Sequence, residues 1–352
     1  MITIAVDAMG GDHAPHPEVA GSLEALREQD VRILLVGKTA RIKELLTARE
    51  AGGFQNRLEI VHAEEVVTME DAASSALRKK KNSSLRVAAD LVRHGRADGM
   101  VSAGNTGAVM ATAKLVLGPL KGVDRPAIAA ILPTTKGPCL LIDVGANVDC
   151  RPEHLEQFAV MGHFYSQQIL GIPSPRVALM SIGEESSKGN DLTRQVFQAL
   201  QAQKLNFIGN VEGRDIYHGK ADVVACDGFV GNVILKVSES LAELFVSMLK
   251  EELSRSLTTK VGALLSKRAF RGLKKRIDYS EYGGAPLLGV KGACIICHGR
   301  SNPNAIKNAI RVAREFCENQ INHRIESNLT AMLSRPARAE AREETTEKCT
   351  RS

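Results

Sequence analysis

Between Ser102 and Gly107 the chain reads SAGNTG, two glycines among a serine, an asparagine and a threonine. A short apolar segment ending at Val101 precedes it, as a buried strand does, and Ala108 to Leu117 after it is strong helix-forming sequence. Strand, glycine turn and helix in that order aim free backbone N–H groups and the positive end of a helix at one point, which suits an anion. Gly104 and Gly107 let the backbone approach a ligand, while Ser102, Asn105 and Thr106 can add donors. The pattern is neither GxGxxG nor the phosphate loop ending in Gly-Lys-Ser/Thr, so it specifies no nucleotide. An ordinary capped βα turn has the same letters. Lys188 lies in a second loop, Gly183 to Asp191, as its only cation and beside a helix start. Cations are disfavoured there, so this lysine has an anion to meet, the plainer reading being a solvated loop lysine.

The elements that must hold these loops alternate in type. Apolar, β-rich runs at Ile2–Val6, Val31–Gly37, Leu58–His62, Arg176–Ile182, Asn206–Val211 and Asp222–Cys226 are separated by helical stretches. This alternation predicts a mostly parallel sheet with helices on both faces. Ala127–Leu132 and Cys139–Val144 are joined by only a few residues, too short for a crossover helix, so some strands are antiparallel. Ligands in such folds bind beyond the carboxyl ends of strands. Six glycine-containing polar loops at inferred strand ends are expected to share that side. They include Asp7–His13, Asp143–Asp149, Asp227–Asn232 and His298–Ser301. Asp7, Asp12 and His13 could suggest a metal, but no second cluster is spaced to complete a coordination sphere, so none is expected.

Seven cysteines without framework spacing, no signal peptide and no apolar run of membrane-spanning length point to a reducing cytoplasm. The net charge of +6 is concentrated. Lys250 to Arg276 holds nine basic residues against two acidic ones, a local +7 that leaves the rest of the chain near −1.

Read together, AVDAMGGDHAP from Ala5, SAGNTGA, DVGAN from Asp143, IGEE with KGN at Lys188, DGFVGN from Asp227, GGAPLLG from Gly283 and HGRS from His298 resemble one family. It is the bacterial phosphate acyltransferases of phospholipid synthesis, and the resemblance runs from about Ile2 to Ile325. It implies transfer of a long-chain acyl group from acyl carrier protein to inorganic phosphate, with no cofactor. It also implies a homodimer associated peripherally with the membrane, a fold shared with isocitrate and isopropylmalate dehydrogenases and with phosphate acetyltransferases, and delivery to a membrane glycerol-3-phosphate acyltransferase.

That chemistry needs a fixed phosphate and a donor set for a tetrahedral oxyanion more than a tuned base. Lys188 is assigned to phosphate or to the developing oxyanion. Ser102, Gly104, Asn105, Thr106 and Gly107 are assigned to phosphate. Asn147, Asn232 and the amides near Gly231 would orient the thioester, and His298 would protonate the leaving thiolate unless it is a buried structural histidine. Asp7 and Asp227 read as loop organisers. Covalent catalysis by Cys226 is the rival mechanism, set against the commoner role of a small buried thiol. The CxxCH letters at Cys294 match a haem motif but lie in a strand and are rejected.

Residues 1–330 are expected to form the catalytic unit, with a basic amphipathic helical insertion at about 250–277 and a flexible tail over 331–352. Leu257, Val261, Leu264 and Leu265 share one helical face, and Phe270, Leu273 and Ile277 share another, with a corner near Lys267. Flanked by Lys267, Arg268, Arg271, Lys274 and Lys275, these stripes read as a membrane-surface anchor. Docking of the acidic carrier protein and packing against a second subunit are the alternatives. Nucleic acid is disfavoured, since aromatic residues are 4% of the chain and none interleaves with the charges. Two other functions compete: a short-chain phosphate acetyltransferase acting on coenzyme A thioesters, and a non-catalytic carrier-protein scaffold.

Overall fold

A computed structural model describes residues 1–48, 51–54, 56–270, 272 and 281–333. Its strands are β1 (Ile2–Asp7), β2 (Val31–Gly37), β3 (Leu58–His62), β4 (Gly99–Ser102), β5 (Ala127–Pro133), β6 (Pro138–Ile142), β7 (Val177–Met180), β8 (Phe207–Val211), β9 (Val223–Ala225), β10 (Ala285–Leu288) and β11 (Ala293–Ile296). The helices that matter for the site are α1 (His16–Glu28), α2 (Thr39–Ala48), α3 (Ala73–Lys79), α4 (Ser84–Arg93), α5 (Thr106–Thr112), α6 (Pro152–Ile169), α7 (Asp191–Gln201), α8 (Gly213–Tyr217), α9 (Gly228–Ser254), α10 (Leu257–Leu265), α11 (Pro303–Glu318) and α12 (Ile321–Leu333).

The strands form one sheet in the order β3-β2-β1-β4-β11-β10-β5-β6-β9-β7-β8. Their apolar runs are buried on both faces, and successive residues serve opposite sides. Ile4, Val6, Ile33 and Leu35 pack with Val19 and Leu23 of α1 and Ile306 and Ile310 of α11. Ala5, Leu34 and Val36 pack with Leu85 and Ala88 of α4 on the other face. In the second half Leu140, Ile142 and Val223 meet Phe158 of α6 and Val196 of α7. The expected layering and the antiparallel β5–β6 pair are both present.

Strand direction overturns one expectation. β3, β2, β1, β4 and β11 are mutually parallel, and β10 is antiparallel to both β11 and β5. β5 is antiparallel to β6, after which β6, β9, β7 and β8 are parallel again. The second set therefore runs opposite to the first. Asp7, Ser102 and His298 follow strands that end at one edge of the sheet, while Asp143, Lys188 and Asp227 follow strands that end at the other. The polar loops form two groups, not one, because a short β5–β6 connection necessarily reverses the chain.

The helical arm also differs. α9 is 27 residues long and starts at Gly228 in the β9 loop, so the arm begins well before 250. Only Gly228 and Gly231 of α9 are buried, and α10, which touches α9, buries nothing. After a turn at Ser266, residues 267–270 are helical again, and Leu273 and Ile277 of the expected second stripe lie outside the described residues. Lys267 and Arg268 are exposed there, whereas Arg271, Lys274 and Lys275 lie outside the described residues. The C-terminal helical stretch is two helices, α11 and α12, divided at Gln320, whose φ is +51°. Residues 331–333 continue α12, and the expected tail from 334 onward lies outside the described residues.

Candidate active site

At the β1–β4–β11 edge, four loops are stitched together. The Ser102 hydroxyl donates to Asp7 Oδ2 at 2.7 Å and accepts the Gly104 N–H at 3.1 Å. Met9 N–H donates to Asp7 Oδ1 at 3.2 Å. Asn105 caps α5 by accepting the Ala108 N–H at 3.0 Å, and its Nδ2 donates to the Met69 carbonyl at 2.8 Å. The fourth loop, that of His298, is held by Asp12 N–H donating to the Gly299 carbonyl at 2.8 Å. Ser102 and Asn105, expected to cradle phosphate, thus direct these groups at the protein itself. Thr106 and Gly107 remain exposed at the start of α5. The glycines of these loops differ in how closely the protein itself packs against them, and a Cβ at Gly104 would stand 3.2 Å from Ser102 Oγ. A Cβ at Gly10 would stand 2.7 Å from Asp7 Oδ2 and 2.8 Å from Gly104 N, while one at Gly107 meets nothing nearer than 3.4 Å.

His298 is exposed, not a core histidine. Its Nδ1 accepts the Arg300 N–H at 3.2 Å, which leaves a neutral ring's proton on Nε2. Sequence reasoning missed three neighbours. The Arg300 guanidinium is exposed and has no carboxylate partner among the described residues. Ser301 Oγ is buried without a partner. Glu18, on the first turn of α1, is only 1% exposed, and its Oε2 also has no hydrogen-bond partner. A glutamate among surface-type helix residues carries no signal of burial. The only hint was the glycine pair it underlies, since a Cβ at Gly11 would overlap Glu18 Oε1.

Burial raises the Asp7 pKa against the hydrogen bonds from Ser84, Ser102 and Met9. Burial likewise pushes Glu18 from 4.5 to about 8, with the nearby Asp7 charge adding to the shift. Below pH 4.5 the Glu18 proton is held folded or unfolded, and the burial costs nothing by this route. Between there and about pH 8 only the native state keeps it, so stability falls as pH rises, by on the order of 5 kcal/mol in total. Glu18→Gln abolishes this titration. Melting temperatures of variant and parent should agree near pH 5 and diverge in the variant's favour by pH 9. A gap that stays constant across that range would mean that Glu18 is not held protonated.

At the opposite edge, the Asp143 carboxylate is fully buried and organises its own loop. Oδ1 accepts from Gly145 N–H at 3.2 Å and Ala146 N–H at 2.7 Å, and Oδ2 accepts from both Asn147 N–H and Asn147 Nδ2 at 2.8 Å. Asn147 Nδ2 also donates to the Pro126 carbonyl at 2.8 Å. Both amide hydrogens of Asn147 are therefore used within the fold, and the residue acts on loop shape. Asp227 caps α9, accepting the Phe229 and Val230 N–H groups at 3.0 Å each. Gly228 N–H donates to the Asn147 carbonyl at 2.7 Å, and Asn232 lies against Gly145. The Asp143 and Asp227 loops are one unit.

Cys226, the rival nucleophile, is buried beneath that unit with Sγ 3.5 Å from the Asp143 carbonyl. Burial first, and the Asp143 and Asp227 charges next, raise its pKa well above the ordinary thiol value. A thiol that keeps its proton and has no access is not a nucleophile. Lys188 follows β7 on the adjacent loop. It is exposed and makes no ion pair among the described residues, although Lys220 nearby pairs with Glu184 at 2.8 Å. Ser181 Oγ and Asn210 Oδ1 are buried without partners, and Asn210 Nδ2 donates to the Glu185 carbonyl of the lysine loop at 3.0 Å. Among the described residues no cluster of His, Cys, Asp and Glu could hold a metal.

Residues 2–324 match the family model described as fatty acid synthesis protein. The chain belongs to this family. Among its relatives, phosphate acyltransferase from Acidobacterium capsulatum is 54% identical over 328 residues, 93% of this chain and 97% of that one. Phosphate acyltransferase from Desulforamulus reducens is 55% identical over 318 residues, 90% and 94% of the two chains. A phosphotransacetylase from Streptococcus pyogenes superimposes with a TM-score of 0.60 at 16% identity, over 91% of this chain and 94% of that one. A branched-chain phosphotransacylase from Enterococcus faecalis gives 0.56 at 17%, over 90% and 99%. The likeness to these two structures is one of fold. For a fatty acid synthesis protein, polar loops whose Lys188 and Arg300 make no ion pair among the described residues, set over buried acids, fit acyl transfer better than they fit a passive scaffold.

Proposed function

We propose that this protein transfers a long-chain fatty acyl group from acyl carrier protein to inorganic phosphate. A groove of about 490 Å³ between α8 and α9 carries this reading over an acetyl transferase of the same fold. Gly213, Tyr217, Val233, Ile234, Val237, Ser238 and Leu241 line it, and because the Ser238 hydroxyl is bonded to the Tyr217 hydroxyl and the Ile234 carbonyl, the walls are mostly apolar. It opens one residue beyond Asn232, and α8 follows β8 and Asn210, which contacts the Lys188 loop. A thioester carbonyl held near Asn232 would therefore have its alkyl chain in the groove, where each buried methylene contributes about 0.8 kcal/mol. An acetyl group has no use for such a groove.

In the reaction, a phosphate oxygen attacks the thioester carbonyl carbon, and the carbonyl π electrons move onto oxygen. Collapse re-forms the carbonyl and breaks the C–S bond. The thiolate leaves with the electron pair and takes a proton, giving acyl phosphate and free carrier-protein thiol. Lys188 neutralises charge on phosphate or oxyanion, the amides near Gly231 and the Asn232 side chain fix the carbonyl, and His298 Nε2–H supplies the proton.

The protein acts as a homodimer at the membrane surface. The distal part of α9 leaves Leu244, Phe245 and Met248 between 55 and 58% exposed, a face for a second copy. α10 leaves Leu257 and Leu265 more than 80% exposed beside the basic cluster, which suits shallow insertion among anionic lipids. Among the described residues no helix is long and apolar enough to cross a membrane. The product would pass there to a membrane-bound acyltransferase.

Incubation with palmitoyl–acyl carrier protein and phosphate should give acyl phosphate, trapped by hydroxylamine, far faster than acetyl–coenzyme A does. The same preparation should sediment at twice its chain mass and float with anionic vesicles. Product from acetyl–coenzyme A alone would replace this reading with the short-chain one, and a monomer that ignores vesicles would remove the dimer and the membrane from it.

A further inference from the structure

Lys188 sits on a turn whose shape is set from outside. Residues 184–188 are all exposed, and the turn is closed by Lys188 N–H donating to the Glu185 carbonyl at 3.1 Å. The same carbonyl accepts a second hydrogen bond, from Asn210 Nδ2 at 3.0 Å. Both of its lone pairs are therefore engaged, one by the lysine's own backbone and one by a side chain from β8. Asn210 is only 3% exposed and stands opposite Leu179 of β7, so the sheet fixes where its amide points. Packing alone gives no reason for it. An apolar residue of the same size would fill the place without the cost of dehydrating an amide.

The balance of forces on the turn is close. Asn210 Oδ1 and Ser181 Oγ, just past the end of β7, are both buried without a partner among the described residues. Lifting the loop would let water reach them, which favours opening. Two other contacts resist it at the surface: Lys220 Nζ pairs with Glu184 at 2.8 Å, and Arg194 Nη1 donates to the Gly189 carbonyl at 2.9 Å. Contacts so exposed hold a loop weakly. The Asn210–Glu185 bond is the one that comes from the buried sheet. The segment that supplies it also walls the acyl groove. β8 leads into α8, where Gly213 and Tyr217 line the groove, and Lys220 follows α8, 3.8 Å from Asp215 Oδ2 of that helix. An acyl chain seated against α8 is thereby placed at a set distance from Lys188.

Resting on the acyl-transfer reading above, we infer that Asn210 is a positioning residue for Lys188. It touches neither phosphate nor thioester. It latches the Glu185–Lys188 turn to the segment that walls the groove, so that the ammonium stands where charge develops on the reacting group of the bound chain. Without the latch the turn lifts, Ser181 Oγ meets water, and Lys188 spends its time out of reach of that charge. A misplacement of about 1 Å in a reacting centre is enough to cost about 100-fold in rate.

Asn210→Leu tests this, because leucine keeps the volume and removes the Nδ2 donor together with the unpartnered Oδ1. Its melting temperature should stay within about 4 °C of the parent's. Hydrogen exchange in residues 183–191 should become faster. With palmitoyl–acyl carrier protein and phosphate, kcat should fall by at least about 10-fold. The deciding measurement is the same substitution made in Lys188→Ala protein, where the latch has nothing left to position. There the further loss should be less than about two-fold. Losses that multiply in the double variant would overturn the inference and give Asn210 a role independent of the lysine. Parental kcat for Asn210→Leu would overturn it as well, and so would unchanged exchange in the loop. Asn210→Ala repeats the cycle if the leucine variant does not fold. The parent protein in the same assay reports separately on the acyl-transfer reading. A parent that makes no acyl phosphate removes that reading and the positioning role with it, whereas an active parent with multiplying losses removes the latch alone.

Discussion

Lys188→Ala lowers kcat/KM for acyl phosphate formation by about 100- to 1,000-fold, the usual cost of removing one donor aimed at developing charge. Position explains the size of this loss. The lysine is exposed, has no carboxylate partner among the described residues, and stands three residues ahead of α7, whose N-terminus disfavours a cation with nothing to bind. Its stem packs over Gly183, where a Cβ would come within 2.9 Å of Lys188 Cγ, so the side chain is guided by the loop. Because it touches so little protein, the melting temperature should barely move. The form of the loss separates its two roles. A rise in the KM for phosphate with kcat kept would mean ground-state phosphate binding, and a fall in kcat would mean stabilisation of the oxyanion. Activity within two-fold of the parent would remove Lys188 from the mechanism.

Gly231→Ala has the largest expected effect on stability. A Cβ at this position would overlap the Asp143 carbonyl oxygen and stand 2.9 Å from both the Asp143 carbonyl carbon and Cys226 Sγ. Asp143 holds its loop by the four N–H donors described above, and Cys226 is sealed in the core. Neither can yield by changing rotamer, so α9 must move off β6, breaking the Gly228–Asn147 hydrogen bond. A loss of at least about 3 kcal/mol follows, at the upper end of what an added methyl costs in a packed interior. Chemical denaturation measures it. Gly107→Ala is the control, since its nearest contact is an ordinary 3.4 Å, and it should change stability by less than about 0.5 kcal/mol. Equal stability for parent and Gly231→Ala would show that the Asp143 and Asp227 loops are not locked together.

The same two positions illustrate how far the letters of a motif go. Both glycines belong to short glycine-containing motifs, and only the fold distinguishes the one that is jammed from the one that is free. Likewise Ser102, Asn105 and Asn147 are polar loop residues with donors to offer, and nothing local reveals that Asp7, Met69, Asp143 and Pro126 take up those donors.

By itself the sequence determined the class of fold, because buried parallel strands write themselves as apolar runs between helices, and the β5–β6 reversal because its connection is too short to cross over. It also determined the family, through motifs spread over almost the whole chain, and it marked six of the polar loops that follow strands, though not the Met69 segment after β3. Tertiary structure alone decided which loops meet. Three antiparallel steps in succession, β11–β10, β10–β5 and β5–β6, together send half of the strand ends to the far edge of the sheet, an outcome set by the order in which distant strands pair. The burial of Glu18 was decided the same way, since a carboxyl on a helix is forced out of water only when another segment, here the Gly10–Gly11 turn, closes over it.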